Sequence, residues 1–295
     1  MKPTLTLLLF LIFLVNISLS AQNINDSTIL YQVETLDGNV FVGKVISSTE
    51  NKIVLKTENF GTVEIAKSKI KKMKSVETKN LIAGEVWPEN PHASRYFYLP
   101  NGYGLKAGEG YYQNTWVLFN QVSYGFTNNF SMGVGMIPAF LFGARGAPVW
   151  FTPKLSFPLV KDKWSLGTGA IVGTYFGESS GSKPVVGMIY GVTTHGTRDK
   201  NFTAGAGFAF ADDQWANTPI ISLGGTIRTG RKHYFLTENY IFFGNGEVGT
   251  LLWLGGRFAS RHLAVDYGGI IPLFPEMDRL IIMPWLGITV PFGKH

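Results

Sequence analysis

Five histidines and a serine motif are the first places to look for chemistry in these 295 residues. The histidines are His92, His195, His233, His262 and His295, and no two of them have a metal-ligand spacing such as H-x-x-x-H. There is no cysteine, so thiolate metal sites, disulfides and a lipidated N-terminal Cys are excluded. Gly177 to Gly181, "GESSG", fits the pattern G-x-S-x-G. That motif works only on a strand-to-helix elbow that strains and exposes the serine. Here the expected context is a hairpin loop, so the stretch reads as flexible polar chain. "GYGLKA", Gly102 to Ala107, half-fits a dinucleotide fingerprint but has no βαβ unit around it. No acid–base–nucleophile constellation emerges, and the expectation is that the chain is not an enzyme, holds no metal and uses no cofactor.

Charges on otherwise small-residue strand faces are more informative. Lys154, Arg228, Arg257 and Asp266 each alternate with Gly, Ser or Thr, and Glu238 in "FLTENYIFF" is expected to turn to that same face. Charges of both signs on an enclosed face usually pair. These five are therefore the candidate site, either a structural lumen network or a constriction or binding site for an anionic solute. His195 is placed on the same face, near a turn.

The elements that must carry them are strands. After Tyr96 about twelve are expected, at roughly 96–105, 111–126, 130–138, 149–159, 164–175, 184–195, 201–211, 218–228, 232–243, 250–259, 262–272 and 279–292, with no helix between them. Their alternation has an unusual sense. In "NFTAGAGFAF" Phe202, Ala204, Ala206, Phe208 and Phe210 oppose Thr203, Gly205, Gly207 and Ala209. In "FSMGVGM" Phe130, Met132, Val134 and Met136 oppose Ser131, Gly133 and Gly135. A soluble sandwich would put charged residues on its second face, and a lipocalin-like barrel would need a polar outside. A barrel with its large face toward lipid and its small face toward a lumen fits both observations. The inward glycines leave room for sheet curvature or for a plug.

Aromatic residues Tyr111, Tyr112, Trp116, Tyr124, Trp150, Trp164, Tyr175, Tyr190, Tyr234, Tyr240 and Trp253 fall toward strand ends, as interfacial girdles do. Short turns ("TNN", "VKDK", "TRDK", "GRK", "SRH") alternate with longer loops, and Asn128 and Asn129 are expected to supply the left-handed conformation of a tight turn.

Two segments precede the barrel. Residues 1–21 have a basic start at Lys2, an apolar run from Leu5 to Val15 and small residues Ser18, Ser20 and Ala21, the pattern of a cleaved secretory signal peptide. Residues 29–76 hold short β-branched runs separated by turns at Asp37-Gly38 and Phe60-Gly61. Their order resembles the small SH3-like or Sm-like barrels. Residues 77–95 read as a linker that passes beneath the second domain or enters it, and 96–295 as the barrel. Lys67, Lys69, Lys71, Lys72 and Lys74 form a basic run, either a solvated edge or a patch for envelope glycan or anionic lipid. The formal charge of +6 is scattered, not striped, which argues against nucleic acid.

The signal peptide, the alternating strands, "TNNFSMGVG" and the ending "WLGITVPFGKH" together resemble bacterial outer-membrane β-barrel proteins. The resemblance implies an all-β chain: an antiparallel up-and-down transmembrane barrel preceded by a small periplasmic β domain. It implies outer-membrane lipid and the barrel-insertion machinery as partners, the latter reading a terminal strand that ends near Phe292. The activity it implies is a pore, scaffold or binding barrel; the alternative is a lipid-modifying enzyme of the acyl hydrolase or transferase type.

Overall fold

The computed structural model describes residues 29–76, 81–82, 85–143, 146–177, 183–244, 246–277 and 279–294. The expected signal peptide, most of the "GESSG" stretch and His295 lie outside these residues. The chain divides into two compact units, Met1–Val86 and Trp87–His295.

The first unit contains a five-stranded antiparallel sheet of β1 (Leu30–Thr35), β2 (Val40–Ser48), β3 (Lys52–Thr57), β4 (Thr62–Ala66) and β5 (Ile70–Val76), in the order β4-β3-β2-β1-β5. One face buries Val33, Ile53, Leu55 and Ile65. Gly38 (φ +87°) and Gly61 (φ +63°) supply the left-handed turn conformations expected of them. Asp37 reinforces the first turn by accepting from Thr35 Oγ1 and Asn39 Nδ2. What is seen is a five-stranded sheet, with no pairing of β4 to β5 among the described residues to make it a closed SH3-like barrel.

The second unit is a closed barrel of twelve antiparallel strands: β6 (Glu109–Thr115), β7 (Phe119–Gly125), β8 (Phe130–Met136), β9 (Gly146–Val160), β10 (Trp164–Gly177), β11 (Val186–Gly196), β12 (Lys200–Ala211), β13 (Ile220–Arg228), β14 (His233–Gly244), β15 (Glu247–Ala259), β16 (Ala264–Leu273) and β17 (Met283–Gly293). Each strand pairs with the next, and β17 closes the ring on β6 with Val290 opposite Tyr112. Closure leaves no sheet edge, so every strand finds its backbone partners inside the wall.

The outer face is apolar and exposed. Val134, Phe151, Leu155, Phe157, Phe202, Phe208, Phe235, Leu254, Leu286, Ile288 and Val290 are all more than a third exposed. A belt of this extent far exceeds what a water-soluble monomer exposes and matches the lipid-facing band of an outer-membrane barrel. The chain is a transmembrane β-barrel of the outer-membrane type.

Four sequence expectations change. Residues 96–105 are not a strand, and 111–126 is not one strand but the hairpin β6–β7, so the count of twelve stands on different elements. The hairpin turns at Trp116 (φ +51°) and Val117 (φ +66°), residue types that rarely adopt this conformation. At "TNN" no asparagine is left-handed; instead Thr127 Oγ1 accepts from the backbone N–H of Asn129 and Phe130, and Thr197 Oγ1 repeats this for Asp199 and Lys200. Of the expected girdle, Tyr112, Trp116, Tyr124 and Trp164 are exposed, whereas Tyr111, Tyr190 and Tyr234 are buried inside the barrel. The reason for this last change is also the reason for the first: residues 96–105 lie in the lumen.

Candidate functional site

The lumen is filled from within the same unit. Tyr96, Phe97, Leu99, Tyr103 and Leu105 are each less than a tenth exposed, as are His92, Ala93, Ser94 and Asn101. This segment first folds on itself. Tyr96 N–H donates to the Leu99 carbonyl over 3.0 Å, Asn101 Nδ2 donates to Ala93 O over 2.9 Å, and Asn101 Oδ1 accepts from Tyr103 N–H over 2.9 Å. Non-helical backbone at membrane depth needs such partners, because lipid and an apolar wall offer none.

Inward side chains of the strands satisfy the remainder. Tyr96 Oη donates to Asn201 Oδ1 at 2.5 Å and meets Thr203 Oγ1 at 2.7 Å. Thr194 Oγ1 accepts from Gly102 N–H at 2.7 Å, and Arg198 Nη2 donates to Gly104 O at 3.1 Å. Small inward residues make the space. A Cβ on Gly224 would fall 2.5 Å from the Tyr96 ring, and one on Gly102 would fall 2.5 Å from the Ser165 carbonyl oxygen. The inward glycines thus accommodate a plug.

Four of the five charges expected in the lumen bind plug backbone, and Asp266 acts through Arg257 and beside His92. Arg257 is 1% exposed and donates from Nε to Asp266 Oδ1 (2.5 Å) and from Nη2 to Asp266 Oδ2 (3.0 Å). Its remaining N–H groups go to plug carbonyls, Nη1 to His92 O (2.5 Å) and Nη2 to Tyr96 O (2.6 Å). Glu238, 0% exposed, accepts from Tyr98 N–H at 2.9 Å and from Tyr240 Oη at 2.7 Å. Lys154 Nζ donates to the carbonyls of Ser94 (3.0 Å) and Tyr103 (2.5 Å). Arg228 bridges Asp199 Oδ2 (2.9 Å) and the Pro88 carbonyl (2.9 Å), with its guanidinium over the Trp87 and Tyr234 rings. Only Arg257 and Asp266 among the five touch one another. Glu238 and Arg228 also meet Tyr240 and Asp199 of the barrel itself, and the remaining contacts run from barrel to plug.

His195 does not face the lumen. It is exposed and stacks on the Trp164 ring at 5.4 Å, because the inward position in β11 is Thr194. The histidine inside is His92, which the sequence reading left in the linker. Its Nδ1 lies 3.4 Å from Asp266 Oδ2 and 3.3 Å from Thr289 Oγ1, its ring meets Tyr111 edge-on at 4.9 Å, and Nε2 has no partner. Burial, and then the neighbouring Arg257 charge, hold His92 down to about 3, so it is neutral at physiological pH. Spacing gave no sign of this group, since its partners are 174 and 197 positions away in the chain.

No family model and no curated protein matches the chain. Solved structures with a similar overall fold are three forms of OmpT, described as an outer membrane protein of Vibrio cholerae. A loop L8 deletion mutant covers 90% of this chain and 97% of its own, at 13% identity and a TM-score of 0.36. The outer-membrane expressed form covers 90% and 94% at 14% and 0.32, and the in-vitro folded trimer form covers 90% and 97% at 14% and 0.31. The chain is similar to them as an outer-membrane barrel. At this distance the likeness assigns no activity, and the barrel itself rests on the strand pairing and the apolar belt described above.

One expectation is corrected at this point. The sequence reading took the chain not to be an enzyme, on the ground that no acid–base constellation was present. The structure assembles His92, Asp266 and Thr289 within hydrogen-bonding range or just beyond it, and the likeness to the OmpT barrels lends that expectation no support. These groups are sealed inside the barrel, His92 on the plug and Asp266 and Thr289 on the wall, at 0%, 1% and 1% exposure. What the arrangement does as it stands is hold a chain segment inside a barrel.

Proposed function

We propose that the chain is a self-plugged outer-membrane barrel, a membrane-embedded scaffold that anchors its small N-terminal β domain in the periplasm. The observation that carries the reading is the clasp: four strand side chains, Lys154, Arg228, Glu238 and Arg257, and Arg198 of the β11–β12 turn all bind backbone atoms of residues 88–104. A segment that completes the hydrogen bonding of buried wall charges is a built-in part of the barrel.

On this reading residues 1–21 direct export and are cleaved, the barrel-insertion machinery reads β17, and the five-stranded sheet is a small SH3-like module. The basic run is its surface toward anionic envelope glycan or lipid headgroups. Lys67, Lys69, Lys71 and Lys72 are exposed, and Lys71 also meets Glu34 at 2.6 Å. The decisive experiment is single-channel recording of the purified full-length chain in planar bilayers. The plugged scaffold gives no steady conductance; a stable ohmic channel in the unmodified chain overturns it.

A further inference from the structure

Beside the plug the lumen keeps one small cavity of about 20 Å³, close to the space a single water or halide ion occupies. Its lining includes Arg95 and Tyr98 from the plug and Ser123, Ser131, Thr152 and Lys154 from β7, β8 and β9. Lys154 is 7% exposed and shares the cavity with Arg95, a second cation. Arg95 itself has only a long contact to Gln113 Oε1 (3.5 Å) and the Tyr111 ring 5.5 Å below its guanidinium. The buried lumen carboxylates Glu238 and Asp266 are committed elsewhere, Glu238 to Tyr98 and Tyr240, Asp266 to Arg257.

The side chains lining this cavity include the two cations and the hydroxyls of Ser123, Ser131 and Thr152, and no carboxylate. Arg95 Nε is buried with no hydrogen-bond partner, and so is Thr152 Oγ1. Lys154 Nζ has spent two of its three N–H groups on Ser94 O and Tyr103 O. Gln121 has its carbonyl oxygen occupied by Trp150 Nε1, which turns its NH₂ toward Ser123. Gly133 holds the wall open at this spot: a Cβ there would lie 2.4 Å from Thr152 Oγ1, 2.7 Å from Gln121 Nε2 and 2.8 Å from Ser123 Oγ. Two cations without a carboxylate, unpartnered donors and a space of atomic size describe an anion site, since a buried charge costs several kcal/mol unless something pairs with it.

We propose that this cavity binds one halide-sized inorganic anion, held between Arg95 of the plug and Lys154 of β9 and capped by the Thr152 hydroxyl. The ion acts as a second clamp between plug and wall, and the site stands whether or not the plug ever leaves the lumen. It is tested on the full-length protein folded in detergent, by thermal unfolding in chloride or bromide against gluconate at matched ionic strength. The halides raise the unfolding temperature saturably, as a ligand of the native state does. Lys154→Met abolishes the effect, and Thr152→Val, which keeps both charges and the wall packing, weakens the apparent affinity about tenfold. Bromide-soaked crystals show an anomalous peak between Arg95 Nε and Lys154 Nζ. An unfolding temperature indifferent to halide, a halide effect unchanged in Thr152→Val, or a cavity without bromide each overturns the proposal and leaves a water there.

Discussion

A guanidinium carries five N–H donors, and at 1% exposure Arg257 must place them all on protein atoms. It uses one carboxylate and the carbonyls of three plug residues, His92, Arg95 and Tyr96, so it ties two wall strands to the segment they enclose. Removing it strands the Asp266 charge. Arg257→Leu is therefore expected to cost about 3–5 kcal/mol, the usual penalty for breaking one side of a buried pair, read as a lower temperature for loss of the compact form on semi-native gels. His92 gives a pH prediction with a definite sign. Its folded value lies near 3 against 6.5 unfolded, so between these values the unfolded chain binds the extra proton. Stability is full above pH 6.5 and falls as pH drops toward 3, by up to about 1.4 kcal/mol per unit. Unfolding temperatures from pH 4 to 7 check this, and His92→Gln flattens the slope. Lys154, Arg228, Arg257 and Asp266 were legible in the sequence as inward charges because strand alternation fixes a side chain's face, and Glu238, whose alternation partners are the large Leu236 and Tyr240, because a carboxylate facing lipid is costly. Their partners were not, because a carbonyl that belongs to an irregular segment leaves no mark in residue type.

At the scale of the element, the pattern that revealed ten strands misread the chain just before them. Residues 96–105 are as aromatic as a strand, yet Pro100 and Asn101-Gly102 break the ladder, and the segment folds into the lumen with its rings against Leu236, Ile270 and Trp285. β6 and β7 merged in the sequence because the turn itself, "WVL" at Trp116 to Leu118, has no Gly, Pro, Asn or Asp. Val117 pays for this with a β-branched side chain at φ +66° while being 79% exposed. Val117→Gly is expected to stabilise the hairpin by about 1 kcal/mol, since the left-handed region costs an L residue that much; an unchanged or lower unfolding temperature would show that Val117 earns its place through lipid contact. The plug makes the complementary prediction. Gly224→Val drives a side chain into the Tyr96 ring, and in folded protein it is expected to expose the bond after Arg95 to trypsin, which leaves the parent chain uncut there. Equal resistance in both would mean that Tyr96 moves aside with no loss of the clasp.

The whole barrel has a wall of uneven height, and this follows from strand lengths alone. β6, β7 and β8 have 7 residues each, whereas β9 to β12 have 11 to 15. Seven residues at about 3.3 Å each and a tilt near 40° rise only about 18 Å, short of an apolar band about 25 Å tall. The β6–β7 tip therefore ends inside the hydrocarbon layer. The residues there agree: Trp116, Val117, Leu118 and Phe119 are apolar and exposed, and Phe142 after β8 and Leu280, Ile281 and Ile282 before β17 continue the patch on the flanking connections. Across the barrel, the connection after β12 carries Asp212, Asp213 and Gln214 instead. Backbone at the sunken tip is kept from lipid by protein partners, Trp116 N–H donating to Leu286 O and Trp116 Nε1 to Pro284 O. A nitroxide at Leu118→Cys in reconstituted membranes should then relax faster with oxygen, which partitions into lipid, than with a water-soluble nickel chelate. A label at Asp213→Cys should do the reverse. If Leu118 reports the aqueous reagent, the tip stands clear of the bilayer, and the apolar patch around it must be covered by something other than lipid.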